Sequence, residues 1–486
     1  MLGLLVIIKF AVSLFLIASL SSCNINFSSK NKLEQIKHKG VLHVLTRVDP
    51  TTYYEGPEGF SGLEYDLVTL FAKHLGVKVH FETPNTFDEI LTKIAKGKAD
   101  IAAAGLTITP ERQKLMRFAP AYDEITEQII YRSGKRRPKN VRALAHGIIE
   151  VVKGTSHVET LLSLKKKTPD LDWNVNSEQD TDALLYFVNE GLIDYTIADS
   201  NQVALIRRFY PKLNIAFDMT EPRQLAWALS AKADPSLYDE ATKFFNKIKQ
   251  DKTLEQLLER HYGHAEVLSY VGNCVFRQHI KSRLPQFQKH FIAAAQQYTI
   301  DWRLLAAIGY QESHWLNDAV SPTGVQGIMM LTHRTAKQLG INNRNNPQQS
   351  IAGGARYFHQ RLKRIPGRIP EPDRIWFALA SYNVGLGHLE DARILTQQQG
   401  GNPDKWMDVK KRLPLLSQKK WYSKTKHGHA RGKEPVRFVE NIRNYYDLLI
   451  WLTEENIIKK NAMTAKAKEA LEKIENPILS NLPAAL

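Results

Sequence analysis

The feature that most constrains this chain is a change in its hydrophobic period near residue 263. Before that point, short apolar runs alternate with segments of helical apolar spacing. Val41–Leu45, Val77–Phe81, Ile101–Ala104, Gln128–Tyr131, Gly147–Val152, Tyr195–Ala198 and Leu225–Ser230 read as strands. Tyr65–Leu75, Phe87–Lys96 and Asp180–Glu190 read as helices, and Pro235–Tyr262 as one long helix with Leu254, Leu257 and Leu258 on a single face. Strands alternating with helices predict an α/β unit built on a largely parallel sheet. Beyond residue 263 strand signals largely vanish. Helical spacing covers Val275–Tyr298, Trp302–Trp315, Ala336–Leu339, Ser350–Arg364, Arg374–Tyr382 and Val436–Thr453, which predicts an all-α unit. At 486 residues the chain exceeds one ordinary core. The expected division is a leader over 1–22, a polar tether over 23–37, the α/β unit over 38–266, the all-α unit over 267–454, and a loose tail over 455–486.

The formal net charge of +16 favours polyanionic partners: nucleic acid, anionic lipid or an acidic cell-wall polymer. No zinc-finger spacing and no aromatic-rich RNA-binding pattern accompanies it, so no nucleic-acid partner is expected. The two cysteines, Cys23 and Cys274, make neither a disulfide framework nor a zinc-ligand set, and no metal or cofactor is expected. Lys9 precedes an apolar run from Phe10 to Leu20, which fits a secretory signal core and is short for a bilayer span unless it extends back through Leu4–Ile8. The run ends in Leu20-Ser21-Ser22-Cys23, which resembles a bacterial lipobox. That resemblance implies lipidation at Cys23; an ordinary cleaved signal and an uncleaved anchor are the other readings. Asn24, where an Asp would resemble an inner-membrane retention signal, points to the periplasmic face of the outer membrane.

Within Trp302–Trp315, residues Leu305, Ile308 and Glu312 fall on one helical face. A carboxyl on an apolar face loses hydration in its charged form, so its pKa rises, as a general acid at neutral pH requires. Alone, the pattern is also that of a carboxylate capping the wet end of a helix. Three further segments follow: Glu312-Ser313, Ser321-Pro322-Thr323-Gly324-Val325-Gln326-Gly327-Ile328-Met329-Met330, and Ser381-Tyr382-Asn383-Val384-Gly385. In order and spacing they resemble the family-1 lytic transglycosylases, the goose-lysozyme-like SLT group. The resemblance implies a lysozyme-like all-α fold, peptidoglycan glycan strands as substrate, and Glu312 as the catalytic acid/base. It also implies that Ser313 supports the carboxylate, that Ser321, Gly327 and Met329 line the sugar subsites, and that Tyr382 and Asn383 orient sugar and acid. Met329 reads equally well as core, and Tyr382 as a packed aromatic. Two positions depart from the family: Met330 stands where it has Gln, and Phe438, within Glu434–Val439, where it has Tyr.

Hydrolytic glycosidases generally use two carboxylates. The matched motifs carry one, which suits intramolecular transfer to a 1,6-anhydromuramoyl end. A goose-type lysozyme hydrolase is the alternative on the same fold.

The front unit carries Gly59-Phe60-Ser61-Gly62-Leu63-Glu64-Tyr65-Asp66, then Ala104–Arg112, Gly154-Thr155-Ser156 and Ala198-Asp199-Ser200. These resemble the family-3 solute-binding proteins, two-lobed periplasmic binders of polar amino acids. The resemblance implies a ligand site at Thr107, Arg112, Thr155 and Asp199. Arg112 would grip a carboxylate and Asp199 an α-amino group, while backbone N–H groups at Thr155 would meet an anion. The other readings are a surface ion pair at Arg112 and a fold kept without its ligand. The order of the two units resembles that of the membrane-bound lytic murein transglycosylases. It implies a front unit that senses an amino acid or muropeptide stem and controls the glycan cleft. A non-catalytic sensor is the remaining alternative.

Overall fold

The computed structural model describes residues 30–56, 59–264, 270–321 and 324–453. The expected leader, Cys23 and the tail lie outside the described residues. No helix among the described residues is long and apolar enough to cross a membrane.

The front unit has two lobes, each on a five-stranded sheet. In the first, Val41–Leu45 lies between parallel partners Lys78–Glu82 and Ile101–Ala102, and Ala228–Ser230 and Met116–Phe118 complete the sheet antiparallel. In the second, Ile149–Val152 lies between parallel partners Asn174–Asn176 and Tyr195–Asp199, followed by antiparallel Glu127–Arg132 and Leu213–Asp218. The expectation of one largely parallel sheet is therefore corrected to two mixed sheets. The chain leaves the first lobe after Met116–Phe118 and returns at Arg223–Ser230, and each lobe takes a strand that runs back. Periodicity marks a strand but not its partner. Leu42, Val44 and Leu45 are fully buried because helices cover the sheet. Leu63–Leu75 and Ser236–Gln250 supply Phe71, Phe244 and Phe245, and Trp227 meets Phe245 edge-on with ring centroids 4.7 Å apart.

Three boundaries differ from expectation. Residues Lys32–Lys39 form a helix with a complete Asn31–Glu34 capping box and a buried Ile36, so the tether is shorter than 23–37. The helix over 235–262 divides into Ser236–Gln250 and Thr253–Tyr262, where Lys252 turns left-handed at φ 63°. The helix over 275–298 divides into Tyr270–Ser282 and Leu284–Gln296, with Pro285 in the opening turn of the second.

The described remainder is built of helices and connecting loops, apart from isolated bridges of Gln326 with Val320 and Leu331. Phe291, Ile308, Phe358, Phe377 and Trp406 form the centre of one core. A helix over 433–453 packs back against the front unit. There Asp447 accepts from Arg208 Nη1 at 2.7 Å and from His264 Nε2 at 2.8 Å, and Asn444 Nδ2 donates to the His264 carbonyl at 2.8 Å. Lys410 pairs with Glu259 at 2.5 Å, and Phe209 packs on Trp451 with centroids 5.1 Å apart. The helical unit is thus fastened to the second lobe through Arg208 and to the first-lobe helix Thr253–Tyr262 through Glu259.

Candidate active site

The helix Trp302–Ser313 starts at Asp301, whose carboxylate accepts from the Arg303 N–H at 2.8 Å. It ends abruptly. His314 and Trp315 are both left-handed, at φ 51° and 56°, and the Trp315 indole folds back to donate to the Ala306 carbonyl at 2.8 Å. Glu312 therefore occupies the last full turn. Burial lifts its carboxyl from 4.5 to about 8, with no other charged group contributing. The partial negative charge of a helix C-terminus acts in the same direction. The carboxyl makes no hydrogen bond or ion pair among the described residues.

Ser313 bonds main-chain carbonyls and makes no hydrogen bond to that carboxyl. Its hydroxyl is shared between the carbonyls of Ile328, at 2.8 Å, and Gly309, at 3.2 Å, so it ties the end of the acid-bearing helix to the following segment. That segment is held at several points. Gly327 sits at φ 81°, with the Arg344 carbonyl where a Cβ would stand, and its N–H donates to the Ala319 carbonyl at 3.0 Å. Arg344 Nη1 donates to the carbonyls of Gly324, at 2.9 Å, and Leu331, at 3.0 Å. The Met329 N–H donates to Ser350 Oγ at 3.2 Å, and the Met329 carbonyl accepts from the Tyr382 hydroxyl at 3.2 Å.

Met329 does not line a subsite with its side chain. It is fully buried, lying against Gly309 and Gly354, whose missing side chains make the room. Of the two readings of Met329, core is the one observed. Tyr382 combines both of its readings. It is buried, stacked on Phe438 at 6.1 Å and edge-on to Tyr357 at 5.0 Å, yet its hydroxyl is held well above the ordinary range by burial and then by the charge of Glu312. Asn383 is exposed on the same helix, Asp373–Val384. Ser321 is half-buried at the far end of the loop, where its Oγ accepts from the Val325 N–H at 3.2 Å. Sequence reasoning missed Ser350, Arg344 and Tyr357. The only trace of Ser350 was its place three residues before the Gly353-Gly354 pair.

In the front unit Arg112 is buried, which excludes the surface-pair reading. Its guanidinium donates to the Thr107 carbonyl at 3.1 Å and, across the lobes, to the Gly154 carbonyl at 3.0 Å, and it pairs with Glu159 at 3.2 Å. Ser156 Oγ donates to Thr107 Oγ1 at 3.3 Å, and Thr155 Oγ1 donates to the Val152 carbonyl at 2.7 Å. Gln202 Nε2 reaches Asp49 across the lobes at 2.5 Å. Burial pushes the Asp199 carboxyl up, but His157 at 3.0 Å, Arg47 and Arg112 together hold it below its ordinary value. The donor atoms of Glu127, His157 and Asp199 lie within 4.8 Å of one another. Glu127 is already paired with Arg223 at 3.0 Å and accepts from Thr160 at 2.5 Å, and such a set of acceptors suits an ammonium group as readily as a metal ion. Glu64 was quoted only as part of a motif. It is a buried carboxyl accepting from the Trp227 indole at 2.6 Å and from the Gly105 N–H at 3.0 Å, and so fixes the loop that leads to Thr107.

Comparison with known proteins agrees with both halves. Residues 42–264 match the bacterial extracellular solute-binding proteins, family 3, and residues 289–405 match the transglycosylase SLT domain. An ancestral arginine-binding protein bound to arginine is 25% identical, with a TM-score of 0.42 over 46% of this chain and 98% of that one. A membrane-bound lytic murein transglycosylase F from Saccharophagus degradans is 49% identical over 87% of this chain and 85% of its own length. Another of that name, from Pseudomonas fluorescens, is 47% identical over 87% of this chain and 88% of its own. On that identity across nearly the whole of both chains, the protein belongs to the membrane-bound lytic murein transglycosylase F family and is a lytic transglycosylase of peptidoglycan.

Proposed function

We propose that the chain cleaves the β-1,4 bond between MurNAc and GlcNAc without water. The carrying observation is a single carboxyl, Glu312, raised to about 8 by burial with no second charged group acting on it among the described residues. At neutral pH it is protonated and donates that proton to the glycosidic oxygen as the bond to C1 breaks. The C6 hydroxyl of the same MurNAc closes on C1, and its proton passes to the Glu312 carboxylate. The ring closure leaves a 1,6-anhydromuramoyl end and restores the acid. The nucleophile is intramolecular, so proximity supplies much of the acceleration. Ser321 and Asn383 meet the sugars, Gly327 shapes the cleft floor with its backbone, and Ser313, Met329 and Tyr382 position the acid. No cofactor or metal enters these steps. Digestion of sacculi with wild type and Glu312→Gln, with product masses measured, tests the reading. Anhydro ends from wild type alone support it, and reducing ends, one water heavier, make the protein a goose-type hydrolase.

The division at 38–266 and 267–454 is the one we adopt, with the front unit as a non-catalytic sensor. Arg112, Thr107, Thr155 and Asp199 are its ligand-binding set, for an amino acid or muropeptide stem. The joints from Asp447 to Arg208 and from Lys410 to Glu259 support this reading, because lobe closure would strain or relieve them. Activity on sacculi that is unchanged by saturating candidate ligands sinks the sensor reading. We place the protein on the periplasmic face of the outer membrane, lipidated at Cys23. The relatives' membrane-bound name supports attachment, and incorporation of labelled palmitate into wild type but not Cys23→Ala tests the site.

A further inference from the structure

The foot of the first lobe carries a charge arrangement that catalysis does not use. The helix Lys32–Lys39, the first described element, docks there: the Lys32 N–H donates to Asp234 at 2.7 Å and its Nζ pairs with Asp100 at 2.5 Å. Beside it opens a cavity of about 200 Å³ lined by Lys32, Lys96, Arg117 and Lys232. A second, of about 270 Å³, adjoins it through Lys32, Gly97 and Asp100 and adds Lys39 and Lys98. Six cationic residues thus line the two cavities against two carboxylates, Asp100 and Asp234, both already engaged by Lys32 and by main-chain N–H groups. Lys39, Lys96, Lys98 and Lys232 are exposed and make no ion pair among the described residues. Arg117 is held in place by packing on the Tyr238 ring, 5.3 Å from its centroid.

The position of this face within the chain selects its partner. Residue 30 is the first described residue, and only seven positions separate it from Cys23. Seven residues span at most about 25 Å. A chain attached at Cys23 therefore holds the first residues of this face within that reach of the bilayer, where unpaired lysines are drawn to a negatively charged leaflet. We infer that the Lys32/Lys96/Arg117/Lys232 cavity and the lysines beside it form a membrane-docking face that takes the phosphates of anionic lipid headgroups. The face orients an attached enzyme by seating the first lobe on the leaflet. This rests on the membrane attachment proposed above, and the two are separable by experiment.

The full chain is mixed at low salt with phosphatidylglycerol vesicles or with phosphatidylcholine vesicles, and its lysines are acetylated and mapped by mass spectrometry. Lys96, Lys98 and Lys232 should react at least fivefold more slowly on the anionic vesicles, and high salt should abolish the difference. Lys166, exposed on the second lobe, and Lys337, exposed on the helical unit, serve as internal references. The variant Lys96→Glu/Lys98→Glu/Lys232→Glu, in exposed positions, should keep its activity on soluble glycan and show at least tenfold weaker binding to anionic vesicles once Cys23→Ala is also present. Equal labelling on the two lipids overturns the inference. So does equal protection by inorganic phosphate without lipid, or protection by sacculi instead of vesicles. If wild type fails to float with either vesicle at high salt, attachment fails, and the low-salt difference still decides the docking face.

Discussion

The Tyr382 hydroxyl donates to the main-chain carbonyl of Met329 at 3.2 Å, and so joins the helix that carries Asn383 to the segment that Ser313 ties behind Glu312. Tyr382→Phe removes this link and leaves the ring between Phe438 and Tyr357. Stability should fall by about 1 kcal/mol, the usual worth of one such bond. Turnover on sacculi should fall about tenfold with KM little changed, because what is lost is alignment of the acid. Initial rates of muropeptide release beside a denaturant midpoint check both.

With the Glu312 carboxyl at about 8, activity should be flat through neutral pH and decline on a basic limb centred near pH 8. The same shift governs stability. Between 4.5 and 8 the folded state holds a proton that the unfolded state has released, so this contribution is complete below 4.5 and is lost as pH rises through 8. Glu312→Gln should therefore be inactive and gain a few kcal/mol over wild type at pH 9, a difference that vanishes at pH 4. Unfolding midpoints at the two pH values measure it, and equal midpoints would refute the shift.

Met329 lies in the core, so volume should matter more than chemistry. Met329→Leu should cost less than about 1.5 kcal/mol and leave KM unchanged. Met329→Ala should cost about 2–5 kcal/mol through the cavity it opens. A large rise in KM for the leucine variant at unchanged stability would return the side chain to the sugar subsites.

Burial pushes the His264 ring down to about 3, so it remains neutral and donates from Nε2 to Asp447, whose own carboxyl is held below its ordinary value by His264 and Arg208 against the effect of burial. Both groups work in the same sense. As pH falls below 6.5 the unfolded His264 takes up a proton that the folded ring refuses, and stability is lost down to about 3. His264→Gln should flatten the loss of thermal stability between pH 6.5 and 4. Asp447→Ala leaves the buried Arg208 guanidinium without its partner and should cost about 3–5 kcal/mol. Calorimetry of that variant should separate one transition into two.

The transglycosylase motifs were legible because such a reaction requires particular residues at particular spacings: Glu312-Ser313, the loop from Ser321 and Ser381–Gly385 are contiguous words, and all lie within the stretch that matches the SLT domain. The change of period near residue 263 was legible because helices and strands bury apolar residues at different intervals. What the sequence hid was partnership. Nothing local in Met329 says that Gly309 and Gly354 are cut back to receive it, because those three positions meet only when the helices pack. The bond of Ser313 to the Ile328 carbonyl, instead of to the carboxyl beside it, depends on where a helix stops. The breaks at Lys252 and at Arg283 fall inside uninterrupted helical spacing, and a left-handed residue or a single proline decides them.

The self-contained pairing of Arg112 sets a condition on any ligand of the front unit. Two carbonyls and the Glu159 carboxylate already hold the guanidinium. An incoming carboxylate must displace them before it gains its own contacts, so an isolated small acid meets a threshold. A ligand that also engaged Asp199, the proposed ammonium partner, would clear that threshold through the added contact. On the sensor reading proposed above, a ligand would therefore have to supply contacts on both lobes to open this pairing.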